Sequence, residues 1–285
     1  MATVLKGQTG EAGLSLRRRN PWKGMATGVT TLWFKHLYKF THSGMEMVGT
    51  LFIPLTWMFL FGVCMNAVMA QFNGVGIGYQ AYITPGVMLL TSLTAAVFGG
   101  SALLSERLNG VINEYLVAPV PRLAILLGTI ASSVTKAILQ TLVVFGVGCL
   151  LDAALVKQPL PVVAGLGIIA LFTIGFVGIA AAFAARAKEM EGFHSIILLL
   201  NLPLLFVSNA LYPLSNLPDT LRVLAYFNPT TYAVDAARHL FYAVPTEIGL
   251  WVDVPLLVAF AVGGVWFAYY SFIQSLTVSA QLETA

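Results

Sequence analysis

Apolar runs of 18 residues or more recur along this chain with hardly a charge inside them, and that feature alone excludes most folds. About 20 apolar residues at a rise of about 1.5 Å each cross a hydrocarbon core of roughly 30 Å. In such a solvent every backbone N–H and C=O needs an internal partner, which leaves only helices or closed barrels. Barrel strands require alternation of polar and apolar residues in segments of about 10, and the sequence has none. Only 9% of the 285 residues are charged and 58% are hydrophobic, whereas a typical soluble domain carries roughly 25% charged residues. A water-soluble fold of this size could not cover its own surface. The expectation is an all-α polytopic membrane protein with six transmembrane helices and no separate soluble domain.

The spans are predicted at about 47–70, 86–104, 124–150, 161–185, 193–211 and 254–275. That divides the chain into an N-terminal tail (1–30), an interfacial helix (31–46), a six-span domain (47–275) and a C-terminal tail (276–285). With a cytoplasmic N-terminus, Lys6, Arg17, Arg18, Arg19, Lys23, Lys35, Lys39, Arg107, Arg122, Arg186 and Lys188 fall inside, and only Lys157, Arg222 and Arg238 fall outside. Cytoplasmic loops carry the excess of Lys and Arg, so both tails are expected in the cytoplasm. The same rule accounts for the net charge of +3, leaving no support for nucleic-acid binding. Arg17 to Arg19 are followed by no compact apolar core, so the segment is read as retained rather than as a secretion signal. Cys64 and Cys149 both lie within apolar runs and read as small buried residues.

Three segments outside the spans carry more information. Leu32, Trp33, Leu37 and Phe40 mix with Lys35, His36 and Lys39 at roughly helical spacing, which suits a helix lying in the headgroup layer; a plain extension of the first span would drag Lys35 and Lys39 into lipid. In the second connection, Leu108, Val111, Ile112, Tyr115 and Leu116 share one helical face, with Glu106, Asn109, Asn113 and Glu114 off it. Pro119 and Pro121 stop that helix, so a short amphipathic helix over Glu106 to Ala118 is predicted between two spans. Between the fifth and sixth spans, residues 211–254 are too polar for a crossing and too rich in aromatics for a free loop. Two short helices divided by Asn228 and Pro229, dipping part way into the outer leaflet, reconcile those facts, with Asn228 as cap and Pro229 at the first helical position.

These stretches resemble the permease subunits of ABC-2 type exporters, close to the branch of daunorubicin-resistance and nodulation lipo-oligosaccharide permeases. The likeness runs from about Thr31 onward. Glu106, Arg107, Gly110, Glu114, Leu116, Pro119 and Arg122 resemble the family's E-R-x-x-G-x-x-E-x-L-x-x-x-P-x-x-R pattern at the coupling helix, though Asn113 precedes Glu114 where many relatives have Thr-Leu-Glu. Pro213, Leu217, Pro218, Asn228, Pro229, Thr231, Tyr232, Asp235 and Arg238 resemble the block before the last span. The resemblance implies the type-2 ABC exporter transmembrane domain, with a coupling helix and outer re-entrant helices. It further implies an exporter in the bacterial inner membrane, in which this chain and a second copy or a homologous permease pair with two cytoplasmic ATPase subunits. ATP and Mg would be held by those subunits, with no cofactor on this chain. The sequence has no G-x-x-x-x-G-K-[ST] loop. On this reading Glu106, Arg107, Gly110, Glu114, Tyr115, Leu116, Pro119 and Arg122 serve coupling, while Pro213, Pro218, Asn228, Pro229, Tyr232, Asp235 and Arg238 form an outer gate.

Lys136 lies near the middle of the third span with Ser132, Ser133, Thr135 and Gln140 nearby, and an ionisable group at that depth costs at least about 2.5–3.5 kcal/mol. Lys136 and Gln140 are therefore either pathway residues, members of a structural pair, or at a level from which Lys136 reaches the interface. Gly175, Gly178, Ala181, Ala182 and Ala185 offer a face for close helix packing. Glu189, Glu191 and His194 form one polar group and Asp235, Arg238 and His239 another; they are expected on opposite sides of the membrane, so neither makes a shared catalytic centre, and neither has the ligand spacing of a metal site. Two further readings remain open: an intramembrane transferase, which needs clustered acids at one membrane face, and a secondary transporter, which needs charges or broken spans at the midplane.

Overall fold

The computed structural model describes residues 21–69, 78–117, 121–151 and 159–282, and those residues fold into helices and short connections. The first helix, α1 (Pro21–His42), begins earlier than the expected interfacial segment, at a proline in the first helical position, where its missing N–H costs nothing. Its buried residues, Gly28, Leu32, His36 and Phe40, recur every fourth position and so form a single stripe. That stripe packs on α5 (Arg122–Leu151). A Cβ added at Gly128 would lie 2.8 Å from the Leu32 Cβ, so the helices cross where α5 has no side chain. The Trp33 indole N–H adds a bond to the Thr135 hydroxyl at 3.0 Å. Ser43 separates α1 from α2 (Gly44–Met69), its hydroxyl accepting from the Glu46 N–H at 3.3 Å, so α1 is a helix in its own right rather than an extension of the first span.

Among the described residues five helices are long and apolar enough to cross a membrane: α2, α3 (Tyr79–Leu108), α5, α6 (Pro159–Arg186) and α10 (Leu250–Leu282). The sixth expected crossing, α7 (Met190–Phe206), has 17 residues, at the lower limit for a span. It stops short of the expected residue 211. Its last carbonyls are taken by side chains instead of a further turn: Leu205 O by the Ser208 hydroxyl at 2.7 Å, Phe206 O by the Tyr212 hydroxyl, and Leu204 O by Asn228. At the other end of the chain, α10 runs on to Leu282, so the region expected as a tail from 276 is largely helical.

α3 and α6 are the central helices, packed on each other and on most of the rest. Phe172, Phe176, Phe193 and Phe241 are the largest fully buried side chains around them. α6 and α10 approach without side chains between them: a Cβ at Gly178 would stand 2.4 Å from the Gly264 carbonyl atoms, and one at Gly264 would stand 2.3 Å from Gly175 O. Small residues on both partners are how membrane helices gain van der Waals contact that lipid cannot offer. After α7 come a 3-10 turn (Leu214–Asn216), α8 (Asp219–Tyr226) and α9 (Pro229–Tyr242). Leu221, Val223, Leu224 and Tyr226 of α8 are exposed. By contrast every residue of α9 from Thr230 to Arg238 is buried, against α3, α6 and α10.

Candidate coupling element and outer cap

At one end of the bundle the chain does not form the single helix expected over Glu106 to Ala118. α3 continues through Glu106 and Arg107 and ends at Leu108; Asn109 caps it with its N–H on Ser105 O at 3.0 Å, and Gly110 turns with φ of 76°. That left-handed conformation is cheap for glycine and costly for residues with a Cβ. A separate helix, α4 (Val111–Val117), then starts. The break divides the proposed apolar stripe, leaving Leu108 at 46% exposure while Ile112 is buried at 3%.

The expected coupling residues consequently do different things. Arg107 reaches sideways and donates to the carbonyls of Ala184 at 3.0 Å, Ala185 and Ala187, so its guanidinium caps the end of α6. A cation at a helix C-terminus satisfies carbonyls that have no intrahelical donor. Glu106 turns toward α1 and α4. Its Oε1 lies 2.7 Å from Lys35 Nζ and accepts from the Tyr115 hydroxyl at 3.3 Å, and Lys35 Nζ also donates to the Tyr115 oxygen. Tyr115 thus faces the bundle and fastens α4 to it, while Glu114 on the other side of α4 is exposed. Arg122 is exposed at the start of α5. The Leu116 backbone belongs to α4; Pro119 lies outside the described residues.

Burial would lower the Lys35 ammonium pKa, but its bonds to Glu106 and Tyr115 outweigh that and raise it. His36, 3.8 Å from the same carboxylate, goes the other way: burial dominates, the neighbouring lysines add to it, and its pKa falls below the ordinary 6.5. A depressed histidine stabilises the fold fully above the ordinary histidine range and loses that contribution as pH falls below it. Acidification below about pH 6.5 is therefore expected to loosen α1 from α5. The check is the fluorescence of a probe on α1, whose acid response should flatten in His36→Gln.

Lys136 and Gln140 face α2. The Lys136 Nζ lies 3.0 Å from the Glu46 carboxylate and 4.9 Å from the Phe40 ring centre, and Gln140 donates to the Thr50 hydroxyl at 2.6 Å. Glu46 is in the first turn of α2, so Lys136 is level with the end of that span even though it is midway along α5. Sequence reading missed Glu46 as the partner; an acid opening the first span was the available signal.

The opposite end is a cap built from α8, α9 and the segment around 207–217. Asn228 uses its whole side chain there. Its oxygen accepts from the Thr230 N–H at 2.9 Å, capping α9, and its amide donates to Leu204 O at 2.8 Å and to Val207 O at 2.5 Å. Pro229 follows at the first helical position. Thr231 and Tyr232 donate their hydroxyls to the carbonyls of Ala225 and Tyr226, closing the corner between α8 and α9. Pro213 and Pro218 precede the 3-10 turn and α8 in extended conformation. Arg222 donates to the carbonyls of Leu214, Ser215 and Leu217 at 3.0–3.2 Å.

Asp235 and Arg238, spaced to pair with one another, have separate partners. The Asp235 oxygens accept from the N–H groups of Glu247 and Ile248, both at 3.0 Å. Arg238 donates to Asn209 O at 2.7 Å, lies 3.7 Å from the Tyr82 ring centre, and has Glu247 at 4.0 Å as its carboxylate. Burial raises the Glu247 pKa above its usual value against the pull of Arg238. Glu247 was not singled out from the sequence because it lies in a short connection with no pattern of its own. His194 bonds Ser101 at 3.0 Å and the Met190 carbonyl at 2.8 Å, and His239 sits on Val244 O at 2.7 Å, so each is used in packing. Among the described residues no group of three or more His, Cys, Asp or Glu side chains could hold a metal ion.

A helical bundle with a helix break fastened at one end and a capped hairpin at the other is a polytopic membrane scaffold. The family model for the ABC-2 type transporter matches residues 27–242, and the chain belongs to that family of membrane transport proteins. Among its relatives are Nodulation protein J of Rhizobium leguminosarum bv. trifolii, 28% identical across 70% of this chain and 75% of the relative, and the daunorubicin resistance ABC transporter permease protein DrrB1 of Streptomyces coeruleorubidus, 23% identical across 82% and 80%. The ycf38 protein of Pyropia yezoensis is 30% identical across 67% of this chain, and the match spans 66% of that relative's own length.

Proposed function

We propose that this chain is the transmembrane permease subunit of an ATP-driven exporter that moves an amphipathic, lipid-linked or drug-like molecule outward, with ATP and Mg bound by separate cytoplasmic subunits. The observation that carries the reading is α4, a short helix held by Tyr115, Glu106 and Lys35 at the end of two spans, with Glu114 free to meet another protein. A push on α4 reaches α1 through Lys35, and a push on α3 reaches α6 through Arg107. The name of the daunorubicin-resistance relative supports the drug-like part of that cargo class. A second permease, identical or homologous, is taken to complete the path between the subunits, with Pro213, Pro218, Asn228, Pro229, Tyr232, Asp235 and Arg238 forming its outer gate. Lys136 and Gln140 would act by holding α5 to α2 along the inner wall.

The test is co-purification of a nucleotide-binding protein with the full chain. Reversing Glu114 to Lys should weaken that association. Tyr115→Ala should preserve association but reduce transport-linked ATP turnover severalfold, since it frees α4 from α3 and α1. Unchanged association and unchanged turnover in both variants would remove α4 from the coupling role.

Orientation is part of the same proposal, from the distribution of Lys and Arg: both termini and α4 in the cytoplasm of a bacterial inner membrane. Single cysteines at Tyr79 and Lys157, in a background without Cys64 and Cys149, should react with an impermeant thiol reagent in intact cells. Labelling only after the membrane is opened would invert the arrangement.

A further inference from the structure

Asp253 stands in the first turn of α10 with no exposed surface, and among the described residues neither of its carboxyl oxygens has a hydrogen-bond partner and no counter-charge faces it. From α9 the ionisable groups in electrostatic reach are Asp235 and Tyr232, an acid and a phenol. Asp235 is itself bound to the amides of Glu247 and Ile248. In the connection between α9 and α10, Glu247 faces Arg238 and the Leu214 N–H, and the Arg238 guanidinium is engaged with Asn209, Tyr82 and Glu247. His239 of α9 rests on Val244 O. α6 contains a single charged residue, Arg186, at its far end. On α5, Lys136 is paired with Glu46, and the Cys149 thiol is on Phe145 O.

An ionised carboxylate in this position would be both shut off from solvent and unpaired, which is among the costliest arrangements a protein can hold. The amide dipoles at the start of α10 favour an anion, but by far less than full desolvation disfavours it. The neutral acid carries no such penalty. We propose that Asp253 is a proton-binding site of the cap: its carboxyl is held as the neutral acid while α9 and α10 are packed together, and it releases the proton to the adjoining aqueous phase when they part. The reaction is one acid dissociation, with the proton passing to water and the carboxylate becoming hydrated. Because the packed form binds the proton more tightly, acid on that side holds the cap shut and alkali favours its opening.

The experiment uses the full chain in lipid nanodiscs, labelled with 13C at the aspartate side-chain carboxyl. The sequence has four aspartates, Asp152, Asp219, Asp235 and Asp253. At neutral pH the infrared spectrum should contain one isotope-shifted band of a protonated carboxylic acid. That band should vanish in Asp253→Asn, and in Asp253→Glu, which keeps an acid at the site but removes the label. Absence of the band in the unaltered protein, or its survival in either variant, overturns the assignment. The unaltered protein supplies a second readout that needs no variant. Hydrogen exchange of the amides from Leu250 to Val258, corrected for the intrinsic effect of pH, should rise with alkalinity toward a limit of about tenfold per pH unit, the slope of a single linked proton. A flat profile would sever the proton from the opening.

Discussion

Replacing Asn228 by alanine is expected to destabilise the protein by about 2.5–8 kcal/mol and to abolish the proposed transport without weakening the proposed association of α4 with an ATPase subunit. Loss of the cap on α9 accounts for about 0.5–2 kcal/mol. The rest comes from Leu204 O and Val207 O, which lose their donor, at about 1–3 kcal/mol for a buried group left unsatisfied. Asn228→Asp separates the two contributions. The carboxylate still caps Thr230 but has no hydrogens for the two carbonyls, so it should recover only the smaller part. Replacing Asn228 and Pro229 together by alanine should go further, removing the stop between an exposed helix and a buried one. Thermal unfolding in detergent gives the order of the variants, and an unchanged midpoint for Asn228→Ala would show that the hairpin is not held by this side chain.

The second large effect concerns α6 and α10. Alanine at Gly178 or Gly264 would place a Cβ 2.3–2.4 Å from backbone atoms of the facing helix, and backbone cannot rotate away as a side chain can. The helices must separate, costing about 1–3 kcal/mol or more through overpacking and lost contact. Leucine at either position should prevent recovery of folded, monodisperse protein. Gly263, one residue away, has open space where its Cβ would be, so Gly263→Ala should be near neutral. Equal yields and equal unfolding midpoints for Gly178→Ala, Gly264→Ala and Gly263→Ala would contradict the close approach.

The helices were legible because their signal is additive: a run of twenty apolar residues states its conformation many times over. α2, α5 and α6 therefore stand where hydropathy expects them, within a few residues, while α3 begins before its expected start at 86 and α10 runs beyond its expected end at 275. Asn228 and Pro229 were legible for a different reason, since a capping side chain followed by a proline has a local meaning independent of the fold. The break at Asn109 and Gly110 was equally local, but the apolar periodicity from Leu108 to Leu116 ran through it and concealed it. What could not be read were partners distant in sequence. Nothing near Lys136 announces Glu46, and nothing near Asp235 announces the backbone amides of Glu247 and Ile248 that reach its carboxylate. Arg107 was read through the family resemblance as a coupling residue, and only the packing of α3 on α6 brings the carbonyls of Ala184, Ala185 and Ala187 within its reach.

The seating of α1 on α5 also constrains how the protein is made. Trp33 and the Thr135 hydroxyl it meets are 102 positions apart, and at a synthesis rate of about 5–20 residues per second the helix waits roughly 5–20 s for its partner to leave the ribosome. Through that interval Leu32, His36 and Phe40 have no protein to cover them, and the membrane surface is the one apolar phase at hand. α1 thus cannot take its final position until α5 has been made, long after its own synthesis.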